Sequence, residues 1–236
     1  MILFENDDVL ALDKPPGVSM ATSSKEGKSA EDAVRRLFGA CGVVPPDPLP
    51  LLVHRLDAGT SGVVLFAKTS AAHRTLSLAL QERRARKTYR ALVWGHPVPA
   101  KGTIDLALAR DPKDGRKMRV QGDGKPSVTR YATLGRFPSL ADLELHPETG
   151  RTHQIRVHLS AKGHPIVGDD FYGGASRWHG VRDRAFREAL ARLTRPLLHA
   201  ARIVIRVMGL DVEAQLPEDY ARVLGLLRKS PSPRAG

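Results

Sequence analysis

The chain has 236 residues, with 37 Lys plus Arg against 25 Asp plus Glu, a formal net charge of +12. Its 42% hydrophobic and 26% charged content is ordinary globular usage, which excludes collagen-like, coiled-coil and globally disordered readings. The single cysteine, Cys41, excludes a disulfide framework and a Cys-based zinc site, and fits a reducing, cytoplasmic compartment.

The N-terminus, Met1-Ile2-Leu3-Phe4-Glu5, has no basic start followed by a long apolar run, so it does not read as a secretory signal. No stretch has the length of a membrane span. The surplus of positive charge favours an anionic partner, nucleic acid before a membrane surface. Arg outnumbers Lys by 26 to 11, and Arg both forks onto phosphate and stacks on bases. An Arg- and Ala-rich genome would produce the same bias, so charge alone leaves the two readings level.

The first strand is predicted at Val9–Leu12, ended by the turn Asp13-Lys14-Pro15-Pro16-Gly17. Residues 21–28 read as a polar loop. Ser29 is placed to cap a helix over 30–38, with Ala33, Val34 and Leu37 as its apolar stripe. Residues 42–50, with a Gly and four Pro, form an irregular connection. Val63–Ala67 suits a buried strand. A helix then starts at Ser70 and is expected to end in the basic run Arg83-Arg84-Ala85-Arg86-Lys87.

Thr88–Trp94 alternates as a strand, broken by Gly95-His96-Pro97. Residues 110–126 read as a loop, followed by strands near 127–134 and 141–146. Residues 150–159 read as an alternating stretch, 175–195 as an Arg-rich helix, and 200–207 with 210–216 as strands paired around Gly209. A closing helix covers 219–227, and 229–236 reads as a frayed tail. Strands outnumber helices and short turns join them. The expected class is therefore α+β, a single domain with a mixed, largely antiparallel sheet and flanking helices.

Three segments carry candidate chemistry. In Val53-His54-Arg55-Leu56-Asp57-Ala58-Gly59-Thr60-Ser61-Gly62, a carboxylate sits in a loop just before a buried strand, where catalytic side chains commonly lie. Taken in isolation, Asp57 reads first as an ordinary turn residue, since Asp-x-Gly and Thr-Ser-Gly are common turn chemistry. In Lys87-Thr88-Tyr89-Arg90-Ala91-Leu92-Val93, Tyr89 follows basic residues and could stack on a base, or simply fill a core. The third, Gly150-Arg151-Thr152-His153-Gln154-Ile155-Arg156-Val157-His158-Leu159, packs two Arg, two His and a Gln into residues 151–158. On an alternating strand these cannot all face solvent, so some are expected to point into a cleft. A cation beside Asp57 would keep that carboxylate ionised. His153 and His158 are spaced like the closing pair of a zinc finger, but no Cys pair or H-E-x-x-H helix accompanies them, so no metal site is expected. The phosphate-binding, dinucleotide and hydrolase-elbow motifs are missing from the sequence.

In this order the three segments resemble the motifs of the RluA-type pseudouridine synthases. Asp13-Lys14-Pro15-Pro16-Gly17, His164-Pro165-Ile166-Val167-Gly168-Asp169, Phe171-Tyr172-Gly173 and Leu198-His199-Ala200 add flanking matches, so the resemblance runs from about Val9 to Pro217. It implies an active-site cleft across the middle of the sheet and isomerisation of uridine in ribosomal or transfer RNA. It also implies Asp57 as nucleophile, Arg156 as the cation holding Asp57, and Tyr89 against a flipped base. Arg55 would fill the gap that the base leaves. With Arg55, the candidate RNA contacts are His54, Arg151, His153 and Gln154, and the run Arg83, Arg84, Arg86 and Lys87. No cofactor, metal, DNA or membrane partner is implied, and a monomer is the default. Many family members carry a basic RNA-binding module before the catalytic domain. Here that module is expected to be absent, leaving the catalytic domain to grip RNA itself. Rival readings are a non-catalytic RNA-binding or ribosome-assembly protein, which has no need of Asp57, Tyr89 and Arg156 together, and a nucleobase glycosylase, which would release free base.

Overall fold

The computed structural model describes residues 1–21 and 29–229. In chain order the elements are β1 (Ile2–Glu5), β2 (Val9–Lys14), α1 (Ala30–Ala40), β3 (Leu51–Leu52), β4 (Ser61–Ala67), α2 (Ser70–Gln81), β5 (Ala85–Trp94), β6 (Lys101–Asp105), β7 (Leu108–Arg110) and β8 (Met118–Val120). They continue with β9 (Val128–Arg136), β10 (Leu140–Pro147), α3 (Gln154–Ala161), α4 (Arg184–Ala191), β11 (Leu198–Ile205), β12 (Leu210–Glu213) and α5 (Glu218–Lys229). The class is α+β, with mostly antiparallel pairing. The chain forms two compact units, one of Met1–Lys87 with His199–Gln215, the other of Thr88–Leu198 with Leu216 onward.

In the first unit β4 is central. It pairs antiparallel with β2, which pairs with β1, and along its other edge it meets β3 antiparallel and β11 parallel; β12 closes onto β11. Alternate residues decide the faces. Val63, Leu65 and Ala67 pack with Val9, Ala11, Leu76 of α2 and Ile203. Phe66, on the opposite face, meets the Phe38 ring of α1 edge-on at 5.2 Å. Helix α1 begins as predicted at Ser29, where Ser29 and Asp32 form a reciprocal capping box, and runs two residues further than expected, to Ala40.

Where β4 meets β11 in parallel, Ala200 lies opposite Gly62. Gly62 has φ +111°, and a Cβ there would stand 2.2 Å from the Ala200 carbonyl oxygen. Only glycine satisfies both demands. We expect Gly62→Ala to lower unfolding stability by roughly 3 kcal/mol or more, read as a shift in the urea midpoint. A shift below about 0.5 kcal/mol would show that the two strands separate freely. Beside it, the Ser61 hydroxyl and His199 Nδ1 are 2.9 Å apart, and His199 Nε2 reaches the Ala214 carbonyl.

In the second unit the sheet order is β5-β10-β9-β6, antiparallel throughout. Both faces are covered. Leu92, Trp94 and Leu140 pack with Phe186 of α4 and Tyr220 and Leu224 of α5. Ala91, Val93, Leu143 and Leu145 pack with Ile155 and Leu159 of α3. Beneath α5, the buried Asp142 carboxylate accepts from the Tyr220 hydroxyl and from the Arg90 fork.

Several sequence expectations are corrected. Residues 150–159 are not a strand: β10 stops at Pro147, and α3 begins at Gln154. All of residues 154–159 are buried, so the polar–apolar alternation reflects a helix enclosed on every side rather than a half-exposed strand. Helix α2 ends at Gln81, and Arg83 takes a left-handed turn conformation (φ 59°), so the basic run leads into β5 instead of ending a helix. The 110–126 loop holds β8, which pairs back onto β7 at the loop's start. The 175–195 segment is a 3-10 turn at Ser176–Gly180 followed by α4, which Asp183 caps. Strands β1, β3 and β6 had no sequence prediction. The predicted 21–28 loop (from residue 22) and the 229–236 tail (from residue 230) lie outside the described residues.

Candidate active site

Asp57 stands in the turn that leads into β4, in the first unit. The turn closes on itself through the Thr60 amide, which donates to the Asp57 carbonyl at 3.0 Å. It is held from below by Lys14. That side chain is fully buried, and its ammonium donates to the carbonyls of Pro15, Ala58 and Thr60 at 3.0, 3.0 and 2.8 Å. The Gly17 amide adds a bond to the Ala58 carbonyl at 2.8 Å. A buried charge is tolerated where its donors are satisfied. Here two of the three charge-assisted bonds, to Ala58 and Thr60, fix the backbone on both sides of residue 59 and so fix the path of the Asp57 turn. Sequence reasoning took Lys14 only as part of a flanking match. The signal was a lysine closing the apolar run Val9–Leu12.

His54 is partly buried, and the Leu65 amide donates to its Nε2 at 3.2 Å. Burial, with a smaller push from the Lys87 charge, pulls its pKa down to about 4 from an ordinary 6.5. It is therefore a neutral acceptor bracing the turn against β4, and brings no positive charge to a phosphate. The unfolded chain binds this proton below about pH 6.5, whereas the folded chain refuses it until near 4. Stability must therefore fall as pH drops from 6.5 toward 4. His54→Gln, which keeps an acceptor but does not titrate, should show a flatter decline in urea midpoint over that window. Equal slopes would contradict the assignment.

Of the other expected RNA contacts in this unit, Arg55, Arg83, Arg84 and Arg86 are exposed, with Arg84 ion-paired to Glu82. Lys87 is half-buried, and burial lowers its pKa below the usual lysine value. The basic run is thus a turn and strand start whose arginines face out while its lysine turns in.

The second unit carries Tyr89 and Arg156. Tyr89 lies on β5 opposite Leu145 of β10, partly buried against the cluster that includes Ile155 and Leu159. Arg156, on α3, is buried and forks onto the fully buried Asp169, Nε and one terminal nitrogen each donating at 2.8 Å. Its guanidinium carbon also lies 5.5 Å from the Phe171 ring centre and 5.1 Å from that of Tyr172. The bidentate bond fixes the plane of the guanidinium as well as its charge. Asp169 was not foreseen as a partner for Arg156, because no local pattern relates residues 13 apart across a turn.

Around α3, Arg151 is exposed, and His153 has a left-handed backbone (φ 54°) with Nδ1 2.8 Å from the Tyr172 hydroxyl. Gln154, expected as an RNA contact, is buried. Its carboxamide oxygen accepts from the Thr149 hydroxyl and the Arg151 amide, and its nitrogen donates to the Val128 carbonyl and the Thr129 hydroxyl. With all four bonds made inside the protein, it shapes the turn that launches α3. His158 is buried between Thr129 and the Leu106 carbonyl, and burial lowers its pKa, keeping the ring neutral. Among the described residues no group of three or more His, Cys, Asp or Glu is placed to hold a metal, and no helix is long and apolar enough to cross a membrane.

Comparison with known proteins places these features. Residues 8–161 match the family model described as RNA pseudouridylate synthase. The ribosomal large subunit pseudouridine synthase D of Pseudomonas aeruginosa is 36% identical over 234 residues, covering 97% of this chain and 72% of that protein. Its namesake from Escherichia coli is 34% identical over 231 residues, covering 96% and 70%. Among solved structures, human RNA pseudouridylate synthase domain containing 4 superposes with a TM-score of 0.75 at 27% identity, covering 96% of this chain and 92% of that one. Domain containing 1 gives 0.69 at 28%, covering 98% and 96%. With identity of this extent on a fold shared almost end to end, the chain belongs to the RluA-type RNA pseudouridine synthases, enzymes that isomerise uridine in RNA.

Proposed function

We propose that the protein isomerises particular uridines of large-subunit ribosomal RNA, with Asp57 as the reacting carboxylate. The observation that carries the residue assignment is the Asp57 turn. A buried lysine, a glycine amide and a neutral histidine hold it rigid at the head of a buried strand. Support for the substrate comes from the relatives, whose names specify the ribosomal large subunit.

The target base leaves its stack and enters a pocket, at a cost of a few kcal/mol that is smallest in loops and bulges. The bond from ribose carbon 1′ to N1 breaks, the uracil turns, and carbon 5 bonds to carbon 1′. Carbon 5 then loses its proton and N1 gains one, so the product is an isomer and no electrons are exchanged. Asp57 serves either by attacking carbon 1′ or by taking the 2′ proton to give a glycal, and it must be ionised for both. Arg156 orients the carboxylate, Tyr89 packs on the flipped base, and Arg55 fills the vacated stack. The chemistry is redox-neutral and internal to the substrate, so it calls for no cofactor. The +12 charge supplies the salt-sensitive grip on phosphates, and cytoplasmic ribosomal RNA is where such an enzyme meets its substrate.

The test is tritium release from unmodified transcripts labelled at uridine carbon 5. Release from large-subunit ribosomal RNA but not from transfer RNA supports the reading. Release from transfer RNA alone reassigns the substrate, and release of free uracil makes the protein a glycosylase.

A further inference from the structure

The β7–β8 hairpin and helix α3 are linked through one short turn, residues 169–172. The hairpin carries Arg110, Lys113, Arg116, Lys117 and Arg119. Its connecting turn is stiff. Asp111 accepts from the amides of Lys113 and Asp114, Asp114 accepts from the Arg116 amide and forks onto the Arg116 guanidinium, and Arg110 reaches the Gly115 carbonyl. Those guanidinium and amide bonds hold the Asp114 carboxyl down at about 2, so it stays charged. With its turn pinned in this way and its strands paired, the hairpin is one hydrogen-bonded body.

Two side chains tie that body to α3. The Tyr172 hydroxyl accepts from the Met118 amide at 2.9 Å and is 2.8 Å from His153 Nδ1, while its ring lies under the Arg156 guanidinium. The Phe171 ring is shared by three cations: Arg116 at 5.7 Å and Lys117 at 5.5 Å from the hairpin, and Arg156 at 5.5 Å from α3. The Phe171 amide donates to Asp169, the same carboxylate that Arg156 grips. A ring attracts a cation by its quadrupole, but cations gathered on one ring repel each other. Arg116 is already paired with Asp114, so a phosphate engaging Lys117 and Arg116 would act by lessening the positive charge gathered on the ring, which favours Arg156 there.

We propose that Phe171 and Tyr172 are positioning residues that couple the seating of RNA on the 108–120 hairpin to the placement of Arg156. This rests on the functional reading above, with Arg156 as the residue that orients Asp57. It predicts a rate defect at full RNA occupancy, which a residue serving only stability would not give.

The experiment measures single-turnover tritium release at saturating large-subunit ribosomal RNA, together with RNA affinity by filter binding. Wild type, Tyr172→Phe, Phe171→Leu, Lys117→Ala and the Phe171→Leu/Lys117→Ala pair are compared. Tyr172→Phe removes one oxygen and keeps the ring, so folding is preserved. Each of the two aromatic variants should slow the step about tenfold while RNA affinity changes by less than about threefold. In the cycle, Lys117→Ala should shrink the effect of Phe171→Leu, because the shared ring no longer mediates between hairpin and α3. Rates of both aromatic variants within about twofold of wild type, or strict additivity in the cycle, would overturn the coupling. Failure of the functional reading looks different: wild type itself would release no tritium, or Asp57→Asn would release it normally.

Discussion

Asp57→Asn should lower pseudouridine formation by about 10⁴-fold or more while RNA affinity stays within about threefold. The substitution preserves side-chain shape and removes only the ionisable oxygen. The backbone of the turn has ties of its own, because Thr60 donates to the Asp57 carbonyl and Lys14 holds the carbonyls of Ala58 and Thr60. The grip on RNA is supplied by arginines and lysines elsewhere, so binding should survive and remain steeply salt-dependent. The measurement is tritium release alongside filter binding. A variant that binds and turns over normally would remove Asp57 from the chemistry. A variant that neither binds nor turns over would show that the carboxylate shapes the RNA surface.

Arg156→Lys should carry the second largest effect, about a hundredfold in turnover at saturating RNA. Lysine keeps the charge but has no planar fork, so it cannot hold both oxygens of Asp169 at 2.8 Å or lie flat against Phe171 and Tyr172. The pair is buried, and one lost charge-assisted bond there should cost roughly 1–3 kcal/mol of stability, visible in the urea midpoint. The two readouts separate positioning from scaffolding. Loss of stability with an unchanged rate would make Arg156 a structural residue, whereas a slowed rate at unchanged RNA affinity is the expected result.

Much of the fold was legible where one physical signal dominated. The capping box at Ser29 and the apolar run before Ala67 set α1 and β4, and Gly209 marked the turn between β11 and β12. The errors arose where tertiary contacts decided. Helix α3 alternates polar and apolar residues, yet it is enclosed so fully that Gln154, Arg156 and His158 all find internal partners. Their polarity therefore mimicked a strand period. The 83–87 run looked like a helix end because Lys and Arg favour last turns. The left-handed Arg83 ends the helical path first. At the site, the motif residues were visible in sequence, but their supports were not. Lys14 under the Asp57 turn, Asp169 beneath Arg156 and Tyr172 on the hairpin act across 44, 13 and 54 residues, separations at which no local pattern exists.

The most direct test of the central claim is pseudouridine mapping of total RNA from cells whose own copy of the gene is replaced by the Asp57→Asn allele. The account predicts that particular pseudouridines of large-subunit ribosomal RNA disappear and are restored by the wild-type allele, with transfer RNA unchanged. Retention of every ribosomal pseudouridine in the Asp57→Asn cells would contradict it.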